Sequence, residues 1–358
     1  MKKYIIEYKD YDEIVSVFTN HIPHTDLNKV NTVIVDLYED EFIAIKKAGY
    51  NIKEDTFVLG NDALCYTPTD MASSQTPPTD LLNYYNAWDS HAAGFTGAGV
   101  KVAVIDTGQH DNHHAAAPGV TRHDFTVGQT GSNLEPQSHG GRGCIHIGQT
   151  NLFTGTATSG ATALYGIAYG CDLHSMRIME DDTALYNSSV ISAINYCIAN
   201  NFDIINLSLS LGAGLETAVQ AALTANIIVV CASGNDPMNP IAHPANMEGV
   251  IAVNAWDTGV VSGSYITDDT STRVTIVNYI SGHTSFAGGT SQGAFMLTGL
   301  LAIYKQKYPS LNTAKAVHLL KRRALQLDGF TYNRYSVSDT KGILENYETG
   351  AGFIAPIN

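Results

Sequence analysis

Several short runs of this chain carry apolar side chains at every position, and longer segments with a helical spacing of apolar residues separate them. The clearest such run is Ile227-Ile228-Val229-Val230. A strand that is apolar on both faces needs cover on both faces, which is the usual setting of a parallel sheet between helices. The pattern therefore predicts an α/β fold in which a mostly parallel sheet lies between two layers of helices.

The predicted strands and helices of this sheet alternate from about residue 100 onward. The strands are predicted at 101–106, 173–179, 203–208, 227–232 and 250–255. The helices are predicted at 139–150, 188–200, 214–225, 291–307 and 312–325. Active sites of open parallel sheets lie beyond the carboxyl ends of the strands, so polar residues at those ends are the first candidates for a site.

The N-terminal part of the chain has a different organisation. Residues 1 to about 62 predict a small α+β module of ferredoxin-like character, with strands at 4–8, 32–37 and 51–58 and helices at 11–18 and 41–48. From Asn61 to Leu81 the composition shifts to Thr, Pro, Ser and Asp, which is typical of a linker. We therefore divide the chain into a small unit at 1–66, a linker at 67–80 and a large unit at 81–358.

Charge and hydropathy exclude two classes of partner. A formal net charge of −14 disfavours nucleic-acid binding, because a nucleic-acid binder should present a basic face. No apolar run approaches the length of a membrane-spanning helix, so we expect no membrane partner.

The N-terminus and the cysteines bear on location. Glu7, Lys9 and Asp10 interrupt the apolar stretch that a signal peptide would need. The five cysteines are odd in number and lack C-x-x-C spacing, which favours reduced thiols in the core. We therefore expect a cytoplasmic or other intracellular location, including the host cell of a virus or phage, while secretion stays open.

Four polar residues occupy positions where a site would form. Ser291 lies among small residues in Gly289-Thr290-Ser291-Gln292-Gly293, just before a helical pattern. Asp106 ends an apolar strand, His139 opens a glycine-rich helix, and Asn235 follows the most apolar strand. Each has an ordinary structural explanation when taken alone, as a turn former or a helix cap. Together they supply an orienting acid, a base, an amide donor and a nucleophile.

The order of these residues along the chain decides between two kinds of hydrolase. The pattern Gly289-x-Ser291-x-Gly293 also fits the G-x-S-x-G turn of α/β-hydrolase esterases, in which the acid and the histidine follow the serine. After Ser291 the next histidine is His318, and no Asp or Glu lies between them. The esterase interpretation fails on this order, whereas the order Asp, His, Ser is that of subtilisin.

Five segments in succession resemble the signature segments of the subtilisin-like serine proteases (subtilase family, peptidase S8 type). They are 102–108, 138–140, 205–209, 232–235 and 289–291, and the resemblance extends over about residues 80 to 355. It implies a three-layer α/β/α fold with a mostly parallel central sheet. It also implies a serine endopeptidase in which Asp106, His139 and Ser291 form the triad and Asn235 contributes to the oxyanion hole.

The small unit resembles the inhibitory propeptide of that family in pattern and position. The resemblance implies a self-processing zymogen whose own N-terminal unit acts as an intramolecular inhibitor. The family's propeptide ends in the substrate cleft, and Ala63-Leu64-Cys65-Tyr66 lies at the equivalent point. We therefore expect self-cleavage between Tyr66 and Thr67.

The resemblance also implies a substrate-binding surface for protein or peptide substrates, which the family binds as an added strand. The residues that match its edge strand, its S1 wall and the flank of its S4 pocket are Ser208, Leu209, Ser210, Ala232, Ser233, Gly234 and Tyr186. The residues of the S1 wall are small and neutral, which predicts an apolar or aromatic P1 side chain.

The chemistry predicted here requires no cofactor and no catalytic metal. The family often binds structural Ca²⁺ through oxygen ligands, but segment 151–156 lacks carboxylates and segment 109–114 offers mainly imidazoles, so calcium is unsupported. Gln292 replaces the methionine that usually follows the family's serine. The alternative interpretation is a catalytically silent relative that serves as a peptide-binding or structural module. Labelling by a fluorophosphonate that depends on Ser291 separates the two.

Overall fold

The structure is a computed structural model of the whole chain, and fourteen separate ranges of it are described below. These ranges are 2–17, 24–55, 57–59, 87–109, 119–126, 139–148, 166–180, 184–212, 214–235, 240–257, 260–262, 272–277, 289–325 and 353–354. The predicted linker, the Tyr66–Thr67 cleavage point and segment 151–156 lie outside the described residues. The unit boundaries at 66 and 80 therefore stay predictions.

The small unit is a four-stranded antiparallel sheet with two helices. Its elements in chain order are β1 (Lys2–Glu7), α1 (Tyr11–Val17), β2 (His24–Leu27), β3 (Thr32–Leu37), α2 (Glu39–Lys47) and β4 (Asn51–Glu54). The strand order is β2-β3-β1-β4, and every neighbouring pair is antiparallel. The order βαββαβ with this arrangement is the ferredoxin-like topology that the sequence predicts.

The two faces of this small sheet bury different partners. Successive residues of a strand point to opposite faces, so Tyr4 and Ile6 pack with Ile14 of α1 in a core internal to the small unit. Ile5, between them, belongs instead to a cluster that includes Leu27 and the helices of the large unit. The small unit therefore has a second apolar face, and the large unit covers it.

The large unit is built on a mixed sheet. Its strands are β6 (Lys101–Asp106), β7 (Thr121–Asp124), β8 (Asp172–Arg177), β11 (Ile204–Leu207), β12 (Ile228–Ala232), β13 (Ile251–Asp257), β14 (Val260–Ser262), β15 (Thr272–Val277), β16 (Ala324–Leu325) and β17 (Phe353–Ile354). The order is β16-β17-β15-β13-β12-β11-β6-β8-β7, with β14 paired to β13. From β17 to β7 the neighbouring strands run parallel.

Helices cover both faces of this sheet, as the apolar strands require. They are α3 (Ala87–Ala92), α4 (His139–Gly148), α5 (Asn187–Ala199), α6 (Glu216–Thr224), α7 (Gly289–Lys307) and α8 (Thr313–Arg323). Val102 and Val104 of β6 pack in a cluster with residues of α4 and α7. Ala103 and Ile105 pack in a second cluster with residues of α5 and α6. The three-layer prediction is confirmed, because alternate side chains of one strand enter the two helical layers.

The order in which the chain adds strands to the sheet reverses direction at β6, close to two of the candidate residues. From β6 the chain builds outward through β8 on one side, and β11, β12 and β13 follow on the other side. Such a reversal opens a crevice at the carboxyl ends of the central strands. Asp106 is the last residue of β6, and Asn235 follows β12 by three residues.

Three predicted elements differ from the structure. The strand predicted at 51–58 is divided into β4 and β5 (Phe57–Leu59), because β4 pairs with β1 while β5 pairs with the large unit's β10 (Ala184–Tyr186). The strand predicted at 173–179 is divided into β8 and β9 (Met179–Glu180), because β8 pairs with β6 and β7 while β9 pairs with β10. The helix predicted at 312–325 ends at Arg323, because Ala324 and Leu325 pair with β17. Each difference comes from a strand pairing that the local pattern does not show.

Candidate active site

A buried carboxylate and a buried imidazole form the centre of the site. Both carboxylate oxygens of Asp106 lie 2.9 Å from Nδ1 of His139. The Asp106 side chain has no exposed surface and that of His139 is 6% exposed. A buried carboxylate is costly unless hydrogen bonds satisfy it, and the backbone N–H of Thr107 also donates to Asp106 Oδ1 at 2.7 Å.

The residue after the acid holds the helix that carries the histidine. Thr107 Oγ1 accepts a hydrogen bond of 2.9 Å from the backbone N–H of Gly140. This N–H belongs to the first turn of α4, where backbone donors lack partners within the helix. Thr107 therefore links the end of β6 to the start of α4 and fixes the approach of His139 to Asp106.

Ser291 lies in the first turn of α7 and is 2% exposed. Its Oγ is 3.2 Å from the backbone carbonyl oxygen of Ser208, to which it donates. The Ser208 hydroxyl in turn donates to Asn206 Oδ1 at 2.9 Å. The serine at the start of α7 is thus in direct contact with the segment that follows β11.

Asn235 is fixed by the residue that precedes the serine. Its Oδ1 accepts from the Thr290 backbone N–H at 2.8 Å and from Thr290 Oγ1 at 2.9 Å. These two bonds hold the Asn235 amide in one orientation. Gly289 has a φ of +46°, and a Cβ at this position would lie 2.5 Å from Asn235 Nδ2. A glycine is therefore required here, both for its backbone conformation and for the space that the Asn235 side chain fills.

Apolar packing brings α4 and α7 together. A Cβ on Gly143 would lie 2.3 Å from the Phe295 ring, so the glycine leaves room for this ring against α4. The ring centroids of Phe295 and His139 are 5.4 Å apart. Phe295 lies four residues after Ser291, one helical turn along the same helix. The helix of the serine and the helix of the histidine thus share one contact surface.

These residues lie in a region that matches a known family. Residues 97–352, more than half of the chain, match the Subtilase family of the peptidase S8 type. The chain belongs to the subtilase family. Its enzyme class is accordingly that of the serine endopeptidases, as the sequence predicts.

Individual subtilases extend this similarity. Alkaline elastase YaB from Bacillus sp. (strain YaB) is 28% identical over 347 residues, which cover 92% of this chain and 88% of that protein. Subtilisin DY from Bacillus licheniformis is 29% identical over 257 residues, which cover 68% of this chain and 90% of that protein. A coverage of 92% extends beyond residues 97–352 and so includes part of the small unit.

A solved subtilase structure has the same fold. Fervidolysin from Fervidobacterium pennivorans, a keratinolytic enzyme related to subtilisin, superposes with a TM-score of 0.65 at 17% sequence identity. The similarity covers 99% of this chain and 60% of the fervidolysin chain.

The residues predicted for the S1 wall are held by backbone hydrogen bonds. Ala232 and Ser233 are fully buried. The Ser233 N–H donates to the carbonyl of Val253 at 3.1 Å, and its carbonyl accepts from the N–H of Ala242 at 3.0 Å. The Gly234 N–H donates to Thr290 Oγ1 at 3.3 Å. This subtilase segment is therefore rigidly tied to β13 and to the start of α7.

The predicted edge lies next to Ser291. The segment Ser208, Leu209 and Ser210 follows the end of β11, and the Ser208 carbonyl contacts the Ser291 hydroxyl. Tyr186, predicted to flank S4, ends β10 at a different place, where its backbone register partner is Phe57. The structure thus joins Ser208 to the central residues and joins Tyr186 to the small unit.

A carboxylate of the small unit caps a helix of the large unit. Asp55 Oδ1 accepts from the Ser188 backbone N–H at 3.0 Å, and Asp55 Oδ2 accepts from the Ser188 hydroxyl. Ser188 is the second residue of α5, whose preceding residue supplies no side-chain cap. Burial raises the pKa of Asp55, although the two hydrogen bonds from Ser188 oppose this effect.

Three predictions from the sequence concern metals, membranes and thiols. Within the described residues, no group of three or more His, Cys, Asp or Glu side chains is placed to hold a metal ion. Calcium binding by segments outside them stays untested. Among the same residues no helix combines the length and apolarity needed to span a bilayer. Cys144, Cys171 and Cys197 are free thiols, and burial raises the pKa of Cys171 to about 12.

Several residues that support the site were not predicted from the sequence. Thr107 holds the start of the helix that carries His139, and Thr290 holds the side-chain amide of Asn235. Buried Asn206 receives the Ser208 hydroxyl and donates through Nδ2 to Thr298 Oγ1 of α7 at 3.0 Å. Thr107 directly follows Asp106, and Thr290 directly precedes Ser291. This adjacency to predicted site residues is the one feature of the sequence that could have identified the two threonines. Nothing local indicated the contact between Asn206 and Thr298.

We expect Gly289→Ala to lower kcat by about 10²–10³, because the new Cβ displaces the side chain of Asn235, which the sequence predicts to be an oxyanion donor, and the loss of such a donor typically has an effect of this size. Gly99→Ala is the matched control. Gly99 also has a positive φ, +77°, but no atom lies within 4 Å of its would-be Cβ. Turnover of a peptide substrate per titrated active site is measured for both variants. Equal losses in the two variants would mean that backbone strain, rather than contact with Asn235, causes the effect.

Proposed function

We propose that this subtilase hydrolyses peptide bonds through Asp106, His139 and Ser291. The observation that carries the proposal is the buried contact of both Asp106 carboxylate oxygens with His139 Nδ1 at 2.9 Å. A carboxylate accepts hydrogen bonds, so Nδ1 keeps its hydrogen and Nε2 carries the lone pair. That tautomer is the one a general base needs to take a proton from a serine hydroxyl.

The proposed reaction proceeds in two halves. Ser291 Oγ attacks the substrate carbonyl carbon while His139 Nε2 takes its proton. The imidazolium then gives this proton to the leaving amine as the scissile C–N bond breaks. A water molecule attacks the resulting acyl-enzyme with the same base and releases Ser291. Throughout, the charge on Asp106 stabilises the imidazolium.

We assign Asn235 Nδ2 and the Ser291 backbone N–H as donors to the oxyanion. The two bonds from Thr290 to Asn235 Oδ1 hold the Asn235 amide in place before any substrate binds. The Ser291 N–H lies in the first turn of α7, where the helix leaves its own N–H groups without acceptors. Donors that are fixed in advance need no reorganisation as charge develops.

The hydroxyl of Ser291 has a resting position in this arrangement. A hydroxyl carries one proton, so donation to the Ser208 carbonyl and donation to His139 are alternatives. A substrate peptide whose main-chain N–H donates to the Ser208 carbonyl would compete with the Ser291 hydroxyl for this acceptor. Substrate binding would then favour the orientation in which Ser291 donates to His139.

We propose that the small unit is an intramolecular inhibitor of a zymogen. Three contacts support this proposal: β5 pairs antiparallel with β10, Asp55 caps α5, and Lys29 N donates to Asn195 Oδ1 at 2.9 Å. Strand β5 adds to β10 as an extended peptide adds to a sheet edge, which is the binding mode proposed for substrates.

Two finer proposals are attached to this one. The neutral residues Ala232, Ser233 and Gly234 favour an apolar or aromatic P1 side chain. Tyr66 would supply such a side chain for self-cleavage before Thr67. N-terminal sequencing of the mature protein tests the cleavage point, and a start far from Thr67 would contradict it. The predicted intracellular location stays a prediction.

We expect Ser291→Ala to abolish both peptide hydrolysis and labelling by a fluorophosphonate, since the nucleophile is lost. Asp106→Asn should retain the fold but lose about 10⁴ in kcat, because the imidazole then adopts the wrong tautomer. Asn235→Ala should lose about 10²–10³ in kcat, through loss of the oxyanion donor. Ser189→Ala is the control, because Ser189 is also a buried serine but lies on a different helix, α5. This variant should label like the unmodified chain.

Either of two results would contradict this assignment. Labelling that persists in Ser291→Ala would place the reactive serine elsewhere. An unmodified chain that neither labels nor hydrolyses peptides after removal of the small unit would support the catalytically silent module.

Asp55→Ala should weaken inhibition by the small unit. Loss of a helix-capping side chain costs about 1 kcal/mol, or roughly fivefold in the concentration of small unit needed for half inhibition. The lag before full activity should therefore shorten at equal concentrations of active sites. Asp55→Asn should retain the lag, because it keeps an acceptor for Ser188 and avoids the cost of burying a charge.

Glu54→Ala is the matched control for the Asp55 variants. Glu54 is exposed and pairs with Lys2 within the small unit, at 3.0 Å. Its loss should leave the lag unchanged. A lag that stays the same in Asp55→Ala, or shortens as much in Glu54→Ala, would contradict the proposed role of the cap.

A further inference from the structure

The two helices that carry the proposed base and nucleophile each hold a second buried polar residue. His146 lies on α4, two turns after His139, and is 5% exposed. Gln292 follows Ser291 directly on α7 and is 4% exposed. Neither residue has a part in the reaction proposed above, and Gln292 stands where the family usually has methionine.

The surroundings of His146 determine its tautomer. Its Nδ1 lies 2.7 Å from the backbone carbonyl oxygen of Arg142, which can only accept a hydrogen bond. Nδ1 therefore carries the hydrogen. Burial lowers the pKa of His146 to about 4, so the ring is neutral at neutral pH. In this neutral ring Nε2 is left with a lone pair and acts as an acceptor.

This tautomer also determines the orientation of Gln292. The Gln292 amide nitrogen lies 3.3 Å from His146 Nε2 and donates to it. Because the amide nitrogen faces the imidazole, Oε1 points the other way. The result is a directional hydrogen bond from the residue next to Ser291 to the helix of His139.

The hydrogen bond joins the same two helices that the apolar contact of Phe295 joins. Phe295 packs against Gly143 and His139, and such a contact resists separation better than it resists rotation or sliding. A hydrogen bond depends steeply on distance and angle. The bond between Gln292 and His146 therefore restricts movements that the apolar contact tolerates. Any rotation of the first turn of α7 moves Ser291 and Gln292 together.

Stability alone does not account for a glutamine at this position. Gln292 Oε1 is buried, and no described residue donates a hydrogen bond to it. A buried carbonyl without a donor destabilises a fold, and a methionine would fill the same volume without that cost. What the amide adds, and an apolar side chain cannot add, is a directional bond that fixes the orientation of α7 relative to α4.

We propose that His146 and Gln292 are positioning residues, whose hydrogen bond fixes the first turn of α7 against α4 and thereby the approach of Ser291 Oγ to His139. The proposal rests on the proposed roles of His139 and Ser291. Neither positioning residue contacts the reacting atoms in this assignment. Their effect should therefore appear in the rate of the chemical step and not in substrate affinity.

Matched substitutions at His146 test the proposal. His146→Leu removes the acceptor, and kcat per titrated active site should fall about tenfold while KM stays within about twofold, because misplaced catalytic groups slow only the chemical step. His146→Gln keeps an acceptor at the same depth and should remain within about threefold of the unmodified kcat.

A double substitution separates positioning from stability. His146→Leu combined with Gln292→Met removes both polar side chains of the pair, so neither is left buried without the other, and the variant should regain most of the unfolding midpoint that His146→Leu loses. Its kcat should stay about tenfold low, because the directional bond is still missing. Ile147→Val, a buried change on α4 outside this pair, should lower the midpoint and leave kcat per active site unchanged.

Two outcomes would overturn the proposal. Unchanged kcat per titrated site in His146→Leu would leave the pair a structural role only. Full recovery of kcat in the double variant would mean that packing alone positions Ser291. Failure of the underlying function would look different, because the unmodified chain itself would then not be titrated by the fluorophosphonate.

Discussion

The burial of one carboxylate against one imidazole is the constraint on which the rest of the structure depends. Asp106 has no contact with solvent, so its charge is tolerable only with His139 Nδ1 and the Thr107 N–H directed at it. These donors must be rigid, and each belongs to an element fixed by the large sheet. The apolar strand β6 ends at the acid, and Thr107 fastens the start of α4 beside it. The subtilase fold thus provides a buried place in which Nδ1 of the imidazole faces the carboxylate.

The small unit packs against helices of the large unit. Its inner apolar face packs with its own helices, whereas Ile5 and Leu27 pack with α5 and α6. Asp55 supplies the cap that α5 does not provide for itself. The contact between the units is therefore partly hydrophobic and partly a helix cap, and both contributions would be lost together if the small unit were removed. This coupling suits the inhibitor role proposed for the small unit, which would then bind as one body.

Sequence alone predicted those features that depend on local pattern. Strands apolar on both faces specified the three layers, and Asp106, His139, Asn235 and Ser291 each follow or open an element visible in the sequence. Contacts between distant segments were not predictable in this way. The strand expected at 51–58 is divided because β5 pairs with β10, more than a hundred residues away. The bond between Gln292 and His146 required the crossing of two helices to be known.

The pairing of β5 with β10 has a consequence for what this surface accepts. Strand β10 offers main-chain donors and acceptors in a row, and β5 meets them with its own backbone through three residue pairs. A polypeptide that takes the place of β5 must offer a row of free main-chain donors and acceptors. In a helix or a paired strand these groups already form hydrogen bonds within the polypeptide itself. The edge of β10 would therefore bind only polypeptide segments with a free main chain, whatever their side chains are. A tightly folded protein would not bind there, whereas a loosely folded protein would.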